Sequence, residues 1–141
     1  MARPKAHPEW LYKTNRHCCY DIQYHLVLIT KYRHPVIVED VEKRLHEIIK
    51  QLLINAKCNV IEINSNKDHI HILFEAPPQI CLSTLINNIK TVSSRRIRKE
   101  FVDYLSKYYW KPYFWSESYF IGTVSERTTK VVKQYIQNQK G

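Results

Sequence analysis

At 141 residues the chain is about one domain long, and its 44% apolar and 25% charged content excludes a disordered tail. Two glycines exclude collagen-like and Gly-rich phosphate-loop architectures, and no apolar run approaches the roughly 18–20 residues that a membrane helix needs. Twenty-two Lys and Arg against thirteen Asp and Glu give +9, unevenly spread: residues 85–141 hold eleven basic and four acidic side chains, residues 1–84 eleven and nine. That asymmetry favours a polyanionic partner on one part of the surface, with simple solubility as the plainer alternative.

One domain is expected over residues 1–141. It opens on a basic arm, 1–17, that lacks the continuous apolar stretch of a secretory signal, so a soluble, cytoplasmic protein is expected. Cys18, Cys19, Cys58 and Cys81 show no C-x-x-C pair and read as reduced thiols packed as small hydrophobes. Residues 20–30 alternate: Tyr20, Ile22, Tyr24, Leu26 and Leu28 fall on one side and Asp21, Gln23 and His25 on the other, which predicts a strand with one buried face. After a break at 31–35, residues 39–54 place Val41, Leu45, Ile48, Ile49, Leu52 and Leu53 at helical spacing, with acids in the first turn. Two short strands follow at 58–65 and 69–75, joined by a hairpin-sized Asn66-Lys67-Asp68.

A second helix is expected over 82–101, with Arg95 and Arg98 on its polar side, then an aromatic strand over 114–124 and a final helix over 126–140. The order β-α-β-β-α-β plus one helix is the split βαβ arrangement of an α+β, ferredoxin-like or RRM-like fold. It predicts a four-stranded antiparallel sheet with helices on one face and the other face left free.

The sharpest feature is Asp68-His69-Ile70-His71-Ile72-Leu73-Phe74. On a strand, Ile70, Ile72 and Phe74 point to the core, so His69 and His71 share the other face, roughly 6–7 Å apart at Cα. Two imidazoles so placed either converge on one divalent ion or are simply two half-exposed histidines. Glu62, Asn64 and His25 make that face polar, which favours a site. On the last helix Tyr135 and Gln139 lie four residues apart on one side. A tyrosine oxygen attacks phosphorus when a metal polarises the phosphate, although with ten tyrosines in the chain a packing role for Tyr135 is the plainer reading from the residues alone.

Several blocks occur together and in order: Tyr20-x-x-x-Tyr24-His25, Lys31-Tyr32-Arg33, Asp68-His69-Ile70-His71, Ser93 to Phe101, Trp115-x-x-Ser118-Tyr119-Phe120 and Val132-x-x-Tyr135-Ile136-x-x-Gln139. In this combination the chain resembles the single-tyrosine HUH transposases of the insertion sequence 200/605 type, from about residue 15 to the C-terminus. Asn66-Lys67 stands where the family usually has Met-Pro. The resemblance implies a metal-dependent enzyme that cleaves and rejoins single-stranded DNA beside a subterminal hairpin, through a 5′-phosphotyrosine on Tyr135. It also implies metal ligands His69, His71 and Gln139, and Mg²⁺ or Mn²⁺ as cofactor. Arg95, Arg98, Lys90 and Arg33 are the expected DNA contacts.

A homodimer is implied as well, with sheets joined at an edge and the last helix reaching the partner, Gly122 and residues 123–126 acting as the hinge. The chemistry needs no nucleotide hydrolysis, in keeping with the lack of a Gly-x-x-x-x-Gly-Lys-[Ser/Thr] loop. The alternatives are a domesticated relative acting on repeat hairpins and a non-catalytic RNA- or single-strand-binding module of the same topology. The latter would carry aromatics where His69 and His71 stand.

Overall fold

Alternating side chains give the central strand two different faces, and the fold is built on that difference. The computed structural model describes residues 13–14, 19–20, 22–124 and 126–139, with side chains over 22–124 and 130–139. The basic arm therefore lies outside the described residues, except that Lys13–Thr14 pairs with Cys19–Tyr20. Cys18 and Asp21 lie outside them too.

The sheet comprises β1 (Gln23–Thr30), β2 (Asn59–Asn66), β3 (His69–Glu75) and β4 (Trp115–Thr123), in the order β2-β3-β1-β4 with every pairing antiparallel. The helices are α1 (Glu39–Asn55), α2 (Leu82–Glu100), the single turn α3 (Val102–Leu105) and α4 (Glu126–Asn138). The α+β, ferredoxin-like architecture is as expected.

α1 buries Val41, Leu45, Ile48, Ile49 and Leu53, while Glu39, Asp40 and Glu42 sit at its positive N-terminal end. It stops in a Schellman motif. Lys57 takes φ 66°, its N–H bonds Ile54 O at 3.0 Å, and the Cys58 N–H reaches Leu53 O at 2.9 Å. α2 buries Leu85, Ile86, Ile89, Ser93 and Ile97. These two helices close over Leu26, Leu28, Ile70, Ile72 and Phe74 from β1 and β3, all of them 0% exposed.

Ser93 is a polar residue inside this core, and its partners explain why it is tolerated. Its hydroxyl donates to Ile89 O at 2.5 Å and accepts the Trp115 indole N–H at 3.0 Å.

The opposite face of the sheet is not free. α4 packs across β1 and β4, with Val132 against Val27 and Ile29 and with Phe120, Tyr135 and Ile136 around them. Val27 and Ile29 would be unexpectedly apolar on an open face, and the helix is what buries them. Gly122 lies within β4 opposite His25, inside the strand expected over 114–124.

Candidate active site

Register decides which side chains meet. On β3, His69 lies opposite Ile29 and His71 opposite Val27 of β1, while Asn66 and Asn64 of β2 flank them on the other side. Both histidines therefore share the face on which α4 docks, with Phe120 of β4 opposite Val27. One surface carries the imidazole pair and the helix bearing Tyr135.

His69 is held from behind. Its Nδ1 lies 2.8 Å from Asp68 Oδ1, and Asp68 Oδ2 accepts from Arg33 Nε at 3.0 Å. Burial works against the Asp68 charge, but hydrogen bonds from His69 and Arg33 outweigh it and hold the carboxyl below its usual value. An ionised carboxylate only accepts, so Nδ1 of His69 carries a proton, and in the neutral ring Nε2 is the nitrogen left with a lone pair.

His71 contacts His25: Nε2 and Nδ1 are 2.8 Å apart and the rings stack at 5.0 Å. Burial lowers both pKa values, for His71 with help from the neighbouring His25 and His69, while Glu62 opposes the shift at both. Two neutral rings leave one N–H to share. His25 Nε2 is buried without a partner. An orphaned lone pair costs less than an orphaned donor, so His25 Nδ1–H donates to His71 Nε2.

On α4, the Tyr135 hydroxyl donates to Ser118 Oγ at 3.2 Å, and Ser118 Oγ donates to Gln139 Oε1 at 3.2 Å. The Tyr135 ring lies 5.6 Å from Phe120. Ser118 is a member of the site that chain order alone did not reveal. Its signal was parity, since residues 118 and 120 of an alternating strand share a face.

Among the described residues no three His, Cys, Asp or Glu side chains form a group able to hold a metal ion. The donor chemistry of His69, His71 and Gln139 fits a divalent cation all the same: two imidazoles, which bind a cation in their neutral form, and one amide oxygen. A cation on His71 Nε2 would take the lone pair that His25 now occupies.

The expected DNA contacts fall into three situations. Arg95 is exposed on α2. Arg98 is half-buried, with Nε on Ser94 Oγ at 3.1 Å, beside an open groove lined by Trp110, Lys111 and Tyr113. Trp110 is 78% exposed there, with the Lys111 ammonium 4.6 Å from its ring centre. Lys90 and Arg33 are engaged inside the protein. Lys90 Nζ donates to Ser116 O and Glu117 O at 2.8 and 3.1 Å, and the Arg33 guanidinium donates to the carbonyls of Ile136 and Gln139 as well as to Asp68.

The chain resembles known proteins over most of its length. The chain is similar to the ISDra2 transposase TnpA of Deinococcus radiodurans, at 35% identity over 129 residues and 90% of each chain. It is also similar to the transposase for insertion sequence element IS200 of Salmonella typhimurium, at 29% identity over 127 residues, 90% of this chain and 82% of that one. The crystal structure of a Deinococcus radiodurans R1 protein described as a transposase superposes with a TM-score of 0.82 at 33% identity, covering 90% and 97% of the two chains. A tyrosine transposase bound to a REP hairpin shares the fold alone, with a TM-score of 0.52 at 10% identity over 92% and 75%. The family model described as Transposase IS200 like matches residues 18–139. With the histidine pair, the tyrosine helix and this match over nearly the whole chain together, the protein belongs to the IS200-like transposase family.

Proposed function

We propose that this transposase cleaves and rejoins single-stranded DNA by transesterification at Tyr135, with His69, His71 and Gln139 holding a divalent cation, Mg²⁺ or Mn²⁺. The observation that carries the reading is the docking of α4, which brings Tyr135 onto the sheet face of both histidines. When bound, the cation would polarise the scissile phosphate and offset its developing charge.

The chain's own residues do the rest. The Tyr135 oxygen attacks phosphorus, an O–P bond forms to the 5′ side, and the bond to the 3′-oxygen breaks. The tyrosine gives up its proton to solvent as it attacks, and the leaving 3′-oxygen takes one up from solvent, so the protons balance; Ser118 orients the hydroxyl. A 3′-hydroxyl later attacks the tyrosyl phosphate and restores both groups. One ester is exchanged for another at each step, so no nucleotide is consumed.

The substrate in this reading is a single strand beside a subterminal hairpin. Exposed Arg95, with Arg98, Lys111 and Trp110 along the groove, supplies cations for phosphates and a flat ring for an unpaired base. Two chains join through β4, an edge strand with Glu117 as its one ionised side chain.

The test is to incubate the protein with a hairpin-bearing strand labelled on either side of the cut, with and without Mn²⁺. A covalent protein–DNA adduct that needs Mn²⁺ and retains the label on the 5′-phosphate side supports the reading. Cleavage that leaves both ends free of protein overturns it.

A further inference from the structure

We propose that Arg33 is a positioning residue whose single guanidinium sets both halves of the site, orienting His69 through Asp68 and seating the C-terminal end of α4 on the same face. The inference rests on the reading of His69 as a ligand and Tyr135 as nucleophile, and it concerns how the two are kept in register.

Three elements meet at this side chain. Nε donates to Asp68 Oδ2 at 3.0 Å, and Asp68 Oδ1 holds Nδ1 of His69 at 2.8 Å. Nη1 donates to Ile136 O and Gln139 O. The last carbonyls of a helix have no partner within it and carry its negative end, so a cation there answers both needs. The Arg33 side chain is 22% exposed, and its planar guanidinium fork can serve a carboxylate and two carbonyls at once. An ammonium offers no such geometry.

The backbone that delivers Arg33 is itself unusual. Tyr32 and Arg33 take φ 58° and 53°, consecutive left-handed positions without a glycine. The surrounding structure holds the turn there. Lys31 N donates to Phe114 O at 2.9 Å, Thr30 Oγ1 to His34 O at 2.8 Å, and the Tyr109 hydroxyl to Lys31 O at 2.9 Å. A strained turn pinned on several sides and ending in an arginine with three internal acceptors is built to place that arginine.

The test uses the full chain and two observables besides cleavage: Mn²⁺ affinity from the electron paramagnetic resonance of the free ion, and hydrogen exchange of the α4 amides. Arg33→Gln should weaken Mn²⁺ binding by about 10–100-fold, as loss of a ligand's outer hydrogen bonds does, and should speed exchange in α4 while β1 and β3 stay protected. Arg33→Lys should restore at most one of the two. Asp68→Asn should weaken Mn²⁺ binding but leave α4 protected, because Arg33 still meets the helix carbonyls.

An Arg33→Gln protein with either observable at the wild-type value overturns the proposal, and so does full rescue of both by lysine. Should Arg33→Gln fail to fold, unchanged Mn²⁺ affinity in Asp68→Asn overturns it alone. A wild-type chain that takes up no Mn²⁺ would defeat the metal reading separately. The imidazole nitrogen shifts of His69 then decide: a protonated Nδ1 that becomes mixed in Arg33→Gln, together with faster α4 exchange, supports positioning, and an unchanged tautomer overturns it.

Discussion

Val132→Ala isolates the docking of α4 from everything else in the fold. Val132 is 6% exposed and meets Val27 and Ile29, both 0% exposed. The substitution removes two buried methyl groups, worth about 1.6 kcal/mol at roughly 0.8 kcal/mol each. The helix edge can settle into the gap, so the further cavity cost is small. α1 and α2 pack on the other face, so the loss falls on local opening of α4. It should raise that opening equilibrium about 15-fold. Hydrogen exchange read by mass spectrometry on peptides covering 130–138 checks this, with β1 and β3 as internal references. Cleavage should slow only by the fraction of docked helix that is lost, because the open helix carries Tyr135 away from the histidines. An α4 whose exchange is unchanged, or a protein that loosens uniformly, would refute the claim that this small cluster seats the helix.

Neutralising Arg95 and Arg98 to Gln should lower affinity for single strands and flatten the log–log salt dependence by about 0.7 for each phosphate left without its cation, and a salt titration of binding reads this directly. His46 reports on pH. Burial lowers its pKa from 6.5, with Lys50 adding to the shift and Glu42 opposing it, so the unfolded chain takes up the proton first as pH falls. Its share of stability is intact above pH 6.5 and is lost below it, and thermal unfolding of His46→Gln should show a flatter decline over that range. Hydrogen bonds that the sulfur accepts from Thr84 and Ser83 bring exposed Cys81 down to about 7, while burial pushes Cys58 up to about 11. Iodoacetamide at neutral pH should therefore label Cys81 and spare Cys58 in peptide maps.

Much of this was legible in the chain because it depends on local periodicity. The two-residue alternation of β1 and β3 places His69 and His71 together and separates them from Ile70 and Ile72, and the register confirms that division. Helical spacing likewise identifies the buried stripe of α1. What was not legible depends on partners distant in sequence. Lys90 and Arg33 look like free cations, yet their long side chains end on carbonyls of β4 and α4. Ser93 stands at the spacing of the buried stripe, four residues from Ile89 and from Ile97, but the Trp115 indole whose N–H its hydroxyl accepts there is distant in sequence. Val27 and Ile29 carried the signal that the second face is covered, since two apolar residues there need a helix above them. Gly122 was expected in the hinge of the dimer that the resemblance implies, and its place opposite His25 in a paired strand is set by register.

The central claim is that Tyr135 is the nucleophile, and the direct measurement is to locate the DNA-linked residue. After reaction with a hairpin-bearing strand and Mn²⁺, nuclease and protease digestion followed by mass spectrometry should find the nucleotide on Tyr135. Tyr135→Phe keeps the ring that packs near Phe120 and removes only the hydroxyl. That variant should bind the same strand with wild-type affinity and form no adduct. An adduct on any other tyrosine, or one that persists in Tyr135→Phe, would contradict the account.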